Sequence, residues 1–498
     1  VLIGNASAPL TIGSTPGEGS LTTNTPGGNL VLNNAFTAPL LIVNSVIDNY
    51  GAGSSLIKTG AGTVQLTAGA TYSGATGIGS GTLTLIGAGS LPDTGAVDLS
   101  DPSSILHLSG ISASAETIGA LTGVSGSSIV IGGKNFVING ISASPFAGVI
   151  SGSGGSLSLL AGASQTLSGD NTFTGGVTIG ANATLSVNKI QTSGAQPLGQ
   201  GTTSIVMQGN FSSGSTLEYT GTGAGTTNRG LSLTGGQGGT VNVAQAAATL
   251  TVTGELAGSA NFHKAGAGTL VLSGSASWNA DGFVDGGTLV LGGDLSAGSN
   301  SLSGGNWTVA SGATMRLNTT GVLETPTLTR DGTFNLEAGT LRTNTIAGSG
   351  AFVWGAGTIA PLSNLTEGST DRTDPGGSPS GPVVREGTIL DFNGNLATSN
   401  GSTLDLGGLF TDNGLRYNQI SVSGSLALTA TDALNISINP YLLRPNTYSS
   451  IFIGDWGTLR LVMADAITGT FDSINGIGTD AIGFAADPGS GSTDTFFD

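Results

Sequence analysis

No cysteine occurs anywhere in this 498-residue chain, which excludes both a disulfide framework and a thiolate metal site. Charge is almost as scarce, since only 9% of the residues are Asp, Glu, Lys or Arg. Thirteen basic side chains face 30 acidic ones for a formal charge of −17, and that sign argues against nucleic acid or an anionic membrane as a partner. The acidic excess reads as solubility and weak cation binding. No apolar run approaches the roughly 18 residues of a transmembrane helix, so no membrane insertion by this segment is expected. Aromatic residues make up only 5% of the chain and histidines number two, which leaves little material for a general acid or base. The chain opens on Val1-Leu2-Ile3, without an initiator Met or a basic and apolar leader. It therefore reads as a processed or excised segment of an exported protein.

What fills the chain instead is glycine, 87 residues of it, with abundant Ser, Thr and β-branched side chains. Four- to six-residue stretches such as Asn29-Leu30-Val31-Leu32-Asn33 alternate polar and apolar positions between Gly, Asn, Pro or Ser corners, the pattern of short strands and turns. Helical periodicity is absent from the first 55 residues. One unit recurs. Lys58-Thr59-Gly60-Ala61-Gly62-Thr63-Val64-Gln65-Leu66, with Tyr72 and then Gly81-Thr82-Leu83-Thr84-Leu85, returns as Lys264-Ala265-Gly266-Ala267-Gly268-Thr269-Leu270-Val271-Leu272, with Trp278 and Gly287-Thr288-Leu289-Val290-Leu291. In both copies nine positions separate the strand-opening Thr from the aromatic, and ten separate the aromatic from the second Thr. A degenerate copy lies between them: Ala161-Gly162-Ala163-Ser164-Gln165-Thr166-Leu167, then Phe173 and Ala183-Thr184-Leu185. Such units cannot bury an apolar face alone and must stack on neighbours.

These units resemble the autotransporter-associated β-strand repeat of very large bacterial surface proteins. The resemblance rests on a Gly-Ala-Gly-Thr strand, a following aromatic and a closing Gly-Thr-Leu. Residues 385–475, with Tyr417-Asn418-Gln419-Ile420-Ser421-Val422 and Ile467-Thr468-Gly469-Thr470-Phe471, are similar to the terminal portion of the same passengers. The resemblance implies an all-β fold, a right-handed parallel β-helix (β-solenoid) with a β-rich C-terminal cap section, exported to the extracellular face or outer cell surface. A coil of roughly 20 residues would give some 22 to 25 coils. Inward side chains would stack on equivalent positions of the next coil at about 4.8 Å. Nothing after residue 475 has the long alternating strands and aromatic girdles of a membrane barrel.

The expected organisation is a repeat array over 1–364, an exposed loop or hinge over 365–382, a C-terminal β-rich section of the solenoid over 383–486 and a polar tail over 487–498. Phe496-Phe497 is an unusual ending for such a tail, and a terminal strand docking onto another chain would account for it. The loop, Pro-, Gly- and Asp-rich, offers Asp371, Arg372 and Asp374 as the candidate adhesion or partner contact.

Candidate catalytic groups are few. His107 and His263 sit in strand context without an adjacent acid or serine motif and read as ladder residues. Asp281 and Asp285, four positions apart around a turn, offer oxygen ligands to a hard cation such as a weakly bound Ca²⁺. Turn chemistry accounts for the same Asp-Gly pairs. No other cofactor is implied, and no phosphate-cradling Gly-Lys-Ser/Thr loop is present. The expected function is non-enzymatic: a rigid extracellular stalk, matrix element or filament subunit that associates end to end or side by side through open coil ends. The alternatives are an adhesin that contacts a cell-surface glycan or host surface through projecting loops, and a β-helical polysaccharide lyase or hydrolase.

Overall fold

The computed structural model describes residues 9–51, 53–292, 305–319 and 321–360, together with the backbone of further strands outside these ranges. The chain is all-β, with no helix among the described residues, and winds as a parallel β-solenoid of about 15 turns. That is fewer than the coil count expected from a uniform period. The coils are unequal: Thr340 pairs with Thr358, 18 residues on, whereas Thr184 pairs with Thr216, 32 residues on. Long corners lengthen a coil without adding a strand, so period alone overcounts.

Two compact units divide the chain, Val1–Leu270 and Val271–Asp498, and the division falls inside the expected 1–364 array. Within the first unit, alternation sets the inside from the outside. In Thr82–Gly87 the side chains alternate half-buried and buried, because successive residues of a strand point to opposite faces. Parallel register then lines up like with like. Leu41, Val64, Leu83, Leu106, Ile129 and Ile150 form one continuous inward ladder, and none of them is exposed. Each such side chain contributes about 2 kcal/mol by leaving water. The outward ladder beside it runs Gln65, Thr84, His107, Val130 and Ser151.

A second inward ladder passes through Leu32, Lys58, Ile78 and Leu99. A third runs Glu116, Phe136, Leu157, Val177, Ile205, Leu231 and Leu256. A fourth, Gln165, Leu185, Leu217, Val241 and Lys264, lies farther along the chain. Ionisable groups therefore occupy core positions in two faces of the winding, Lys58 and Lys264 in one and Glu116 in another. The repeat aromatics plug corners of the core: Tyr72 is 1% and Phe173 0% exposed.

The second unit repeats the scheme with a heavier aromatic content. Leu289, Met315, Phe334 and Phe352 form one ladder, and Leu291, Leu317, Leu336 and Trp354 the next inward one. Phe334 stacks on Phe352 at 5.3 Å, and Phe352 meets Phe392 edge-on at 5.4 Å. Parallel pairing continues into the C-terminal section, where Thr358 pairs with Thr403 and Leu404 with Leu434. One antiparallel hairpin interrupts it, between Thr403–Thr411 and Gly414–Ala427. At the end of the chain Thr495–Phe497 pairs antiparallel with Phe484–Ala486 of the same chain.

Candidate functional site

The ionisable residues of the repeat turn inward and hold the winding together. Ser55–Thr59 is a strand whose buried positions are Leu56 and Lys58, so the same alternation that buries a leucine carries the lysine stem into the core. Its ammonium donates to the carbonyls of Thr59 (3.1 Å), Gly60 (2.6 Å) and Ser80 (2.7 Å). The first two belong to its own corner and the third to the next coil. Burial pushes the Lys58 pKa down to about 8, yet three accepting carbonyls keep it an ammonium at neutral pH. Lys264, in the later copy, is equally buried and donates to Ala265 (2.7 Å) and Gly266 (3.0 Å).

Other buried polar groups follow the same rule of capping corner backbone. Arg229, 1% exposed, donates from Nε to Thr203 and from Nη1 to Leu198 carbonyls, and burial lowers its pKa to about 10. Asn171 accepts from the Ile150 amide and donates to the Pro197 carbonyl, both at 2.7 Å. Glu116 is the acidic counterpart. It is 3% exposed, accepts from the Leu91 amide at 2.7 Å, and burial raises its pKa to about 7 against the opposing effect of that hydrogen bond. Alternation signals both: Lys58 shares the parity of Leu56, and Glu116 that of Ile118.

Asp281 and Asp285 do not share a turn. The strand Gly282–Val284 separates them, and four residues of extended chain span roughly 13 Å, too far for both carboxylates to reach one cation directly. Asp281 accepts from the Asn306 amide at 2.8 Å. Among the described residues no three His, Cys, Asp or Glu side chains converge as a metal shell. His107 stands on an outward ladder between Thr84 and Val130, and His263 pairs with Thr240. Asp371, Arg372 and Asp374 lie outside the described residues, as does the whole 365–382 segment.

A broad groove lies on the outer side of the strands Asn135–Ile138, Ser156–Leu159, Val177–Ile179, Ile205–Gln208 and Leu231–Thr234. It encloses about 490 Å³ and no charged side chain lines it. Sequence reasoning missed it, because register over five coils, with corners of unequal length, decides which hydroxyls and amides come together.

Comparison with known proteins agrees with this architecture. The passenger-associated-transport-repeat matches residues 56–89, 162–187 and 262–291, the three units that the Lys-Gly-Gly-Thr spacing and its degenerate copy mark out. The chain is similar, at 30% identity over 435 residues, to the adhesin BmaC autotransporter of Brucella suis biovar 1 (strain 1330). That match covers 86% of this chain but only 12% of the relative. Three matched passenger-associated-transport-repeats, wound into a parallel β-solenoid, thus make up part of a chain that is similar to an autotransporter adhesin over most of its length.

Proposed function

We propose that this chain is an extracellular, non-enzymatic segment of a surface adhesin, a stack of coils that carries attachment surfaces on its outer faces. The observation that carries the reading is the similarity over 86% of the chain to a protein named as an adhesin autotransporter. Side-chain use supports it. The buried ionisable groups Lys58, Lys264, Arg229 and Glu116 are bonded to corner backbone, and the exposed pairs are ordinary surface contacts such as Lys189 with Asp170 at 2.9 Å. Beads coated with the purified chain should attach to cultured cells or extracellular matrix above the level of albumin-coated beads. Equal attachment of both would remove the adhesive reading.

A purely structural stalk or filament is the second reading, favoured by the in-register ladders, which any further coil could extend. Electron microscopy of the purified chain across protein concentrations tests it, and isolated particles throughout would count against a filament.

A further inference from the structure

The uncharged groove on the outer face of Asn135–Thr234 supplies a ligand class. Five successive parallel strands place Asn135, Ser158, Thr178, Gln208 and Thr234 along its length, one coil after another. Neighbouring strands are about 4.8 Å apart, close to the length of one pyranose unit in an extended oligosaccharide. The five strands thus span roughly 19 Å. Asn135 Oδ1 is taken by Ser156 and Ser158 hydroxyls, both at 3.0 Å, which fixes the amide at that end. No side-chain hydrogen bond within the protein engages Thr178, Gln208 or Thr234 among the described residues, and Gln208 and Thr234 are exposed. Their donors and acceptors are free for a ligand.

A fully exposed aromatic follows the lining residues Gln208 and Gly209 in the next turn of the chain. Phe211 is 99% exposed, yet its turn is fixed. Asn210 Oδ1 accepts from the Ser212 and Ser213 amides at 2.9 and 2.8 Å, and the Asn210 amide donates to the Ser213 carbonyl at 2.8 Å. Hydrogen bonds from Gly209 to Thr234 and from Gln237 to Asn210, at 2.7 and 2.9 Å, tie the turn to the next coil. Gly209 and Gly235 form the adjoining floor of the groove, and Gly235 has φ +77° with a Cβ there running into the Gly209 carbonyl. An exposed ring on a hydrogen-bonded turn, beside hydroxyls and amides, has the two components that recognise a sugar. The ring face takes the C–H face of a pyranose, and polar groups in a shallow cleft orient its hydroxyls.

We infer that this groove is a binding site for a neutral, extended oligosaccharide of about four sugar units, with Phe211 stacking on a terminal ring. Neutrality follows from the lining, which has no cation to pair with a carboxylate or sulfate, and from the −17 charge of the chain, which repels polyanions. The inference rests on the adhesive reading for its purpose, although the site is tested on the purified chain in solution.

Titration calorimetry with cellotetraose, mannotetraose and maltotetraose, alongside a tetrameric polygalacturonate, tests it. At least one neutral tetrasaccharide should bind saturably and better than its disaccharide. Phe211→Ala should weaken that binding about tenfold, since a lost stacking contact is of that order, while Phe211→Tyr should retain it. Thr178→Val should also weaken it, and circular dichroism should show both variants folded. No binding by any neutral probe, a stronger response to the polyanion, or binding indifferent to Phe211→Ala would each overturn the assignment. Bead attachment that persists in the Phe211→Ala variant would leave the adhesive reading standing without this site.

Discussion

Two corners of the same repeat solve one problem in different ways. At the first copy Lys58 is followed by Gly60 in a left-handed conformation, φ +81°, and the Gly62 amide donates to the Asn34 carbonyl of the preceding coil at 2.7 Å. The corner carbonyls that face inward are taken by the ammonium. In the degenerate copy Leu159 occupies the lysine position. There the left-handed residue is Gly162, one place later, and the Ala163 amide closes back on Leu160 within its own turn at 3.0 Å. With the buried cation the third corner amide reaches the preceding coil, whereas with leucine it closes on its own turn and the Gly162 amide reaches Ala181 of the next coil at 2.9 Å. The later copy at Lys264 follows the first: Gly266 has φ +77° and the Gly268 amide reaches Val243 of the preceding coil.

Lys58→Met is the sharpest way to break this comparison. It keeps the stem but leaves three corner carbonyls without their donor, and should cost about 4 kcal/mol in chemical denaturation. Leu159→Met should cost less than about 1.5 kcal/mol. Equal losses at the two sites would mean that the ammonium holds nothing.

Glu116 extends the comparison to an acid. Its pKa is raised from 4.5 to about 7, so between those values the unfolded chain gives up a proton that the folded chain keeps. The unfolded state then binds fewer protons, and stability falls as pH rises through that window, by about 3 kcal/mol for a shift of this size. Below pH 4.5 both states are protonated and the contribution is fully present. Denaturation midpoints measured from pH 4 to 8 should show the decline, and Glu116→Gln should remove it. A wild-type midpoint flat across the window would show that the carboxyl is not held neutral.

The smallest expected difference separates two glycines with nearly the same φ. A Cβ on Gly60 would strike the Asn34 carbonyl, whereas one on Gly162 would meet nothing within 4 Å. Gly162→Ala should therefore cost only the left-handed backbone penalty of about 1 kcal/mol. Gly60→Ala should cost about 3 kcal/mol, because the close approach adds to it. Thermal shifts of the two variants, compared side by side, read the difference.

Much of the architecture was legible. Strand length, alternation and the Gly-Thr spacing fix short parallel strands that must stack, and the repeat aromatics fall in the core at Tyr72, Phe173 and Trp278. The stretch 385–475, read as similar to passenger termini, holds the strands Arg385–Phe392, Gly414–Ala427 and Ala433–Ile438. Alternation also placed Lys58 and Glu116 inward, a signal that their charge obscures, since burying an ionised group is costly unless polar partners receive it. Those partners are corner carbonyls and amides that no local sequence pattern names. The Asp281 and Asp285 pair shows the converse, because two acids near one Asp-Gly suggest a shared turn until a strand is seen to hold them apart.

By itself, then, the sequence determined a β-solenoid and its repeating unit, because period-two alternation and glycine corners are properties of a few adjacent residues. Tertiary structure decided the length of each coil, the partners of the buried cations at the corners and the groove along Asn135–Thr234. Those depend on the register between residues about 20 positions apart, where an extra turn at one corner, as between Ile179 and Ile205, shifts which side chains become neighbours on the next strand.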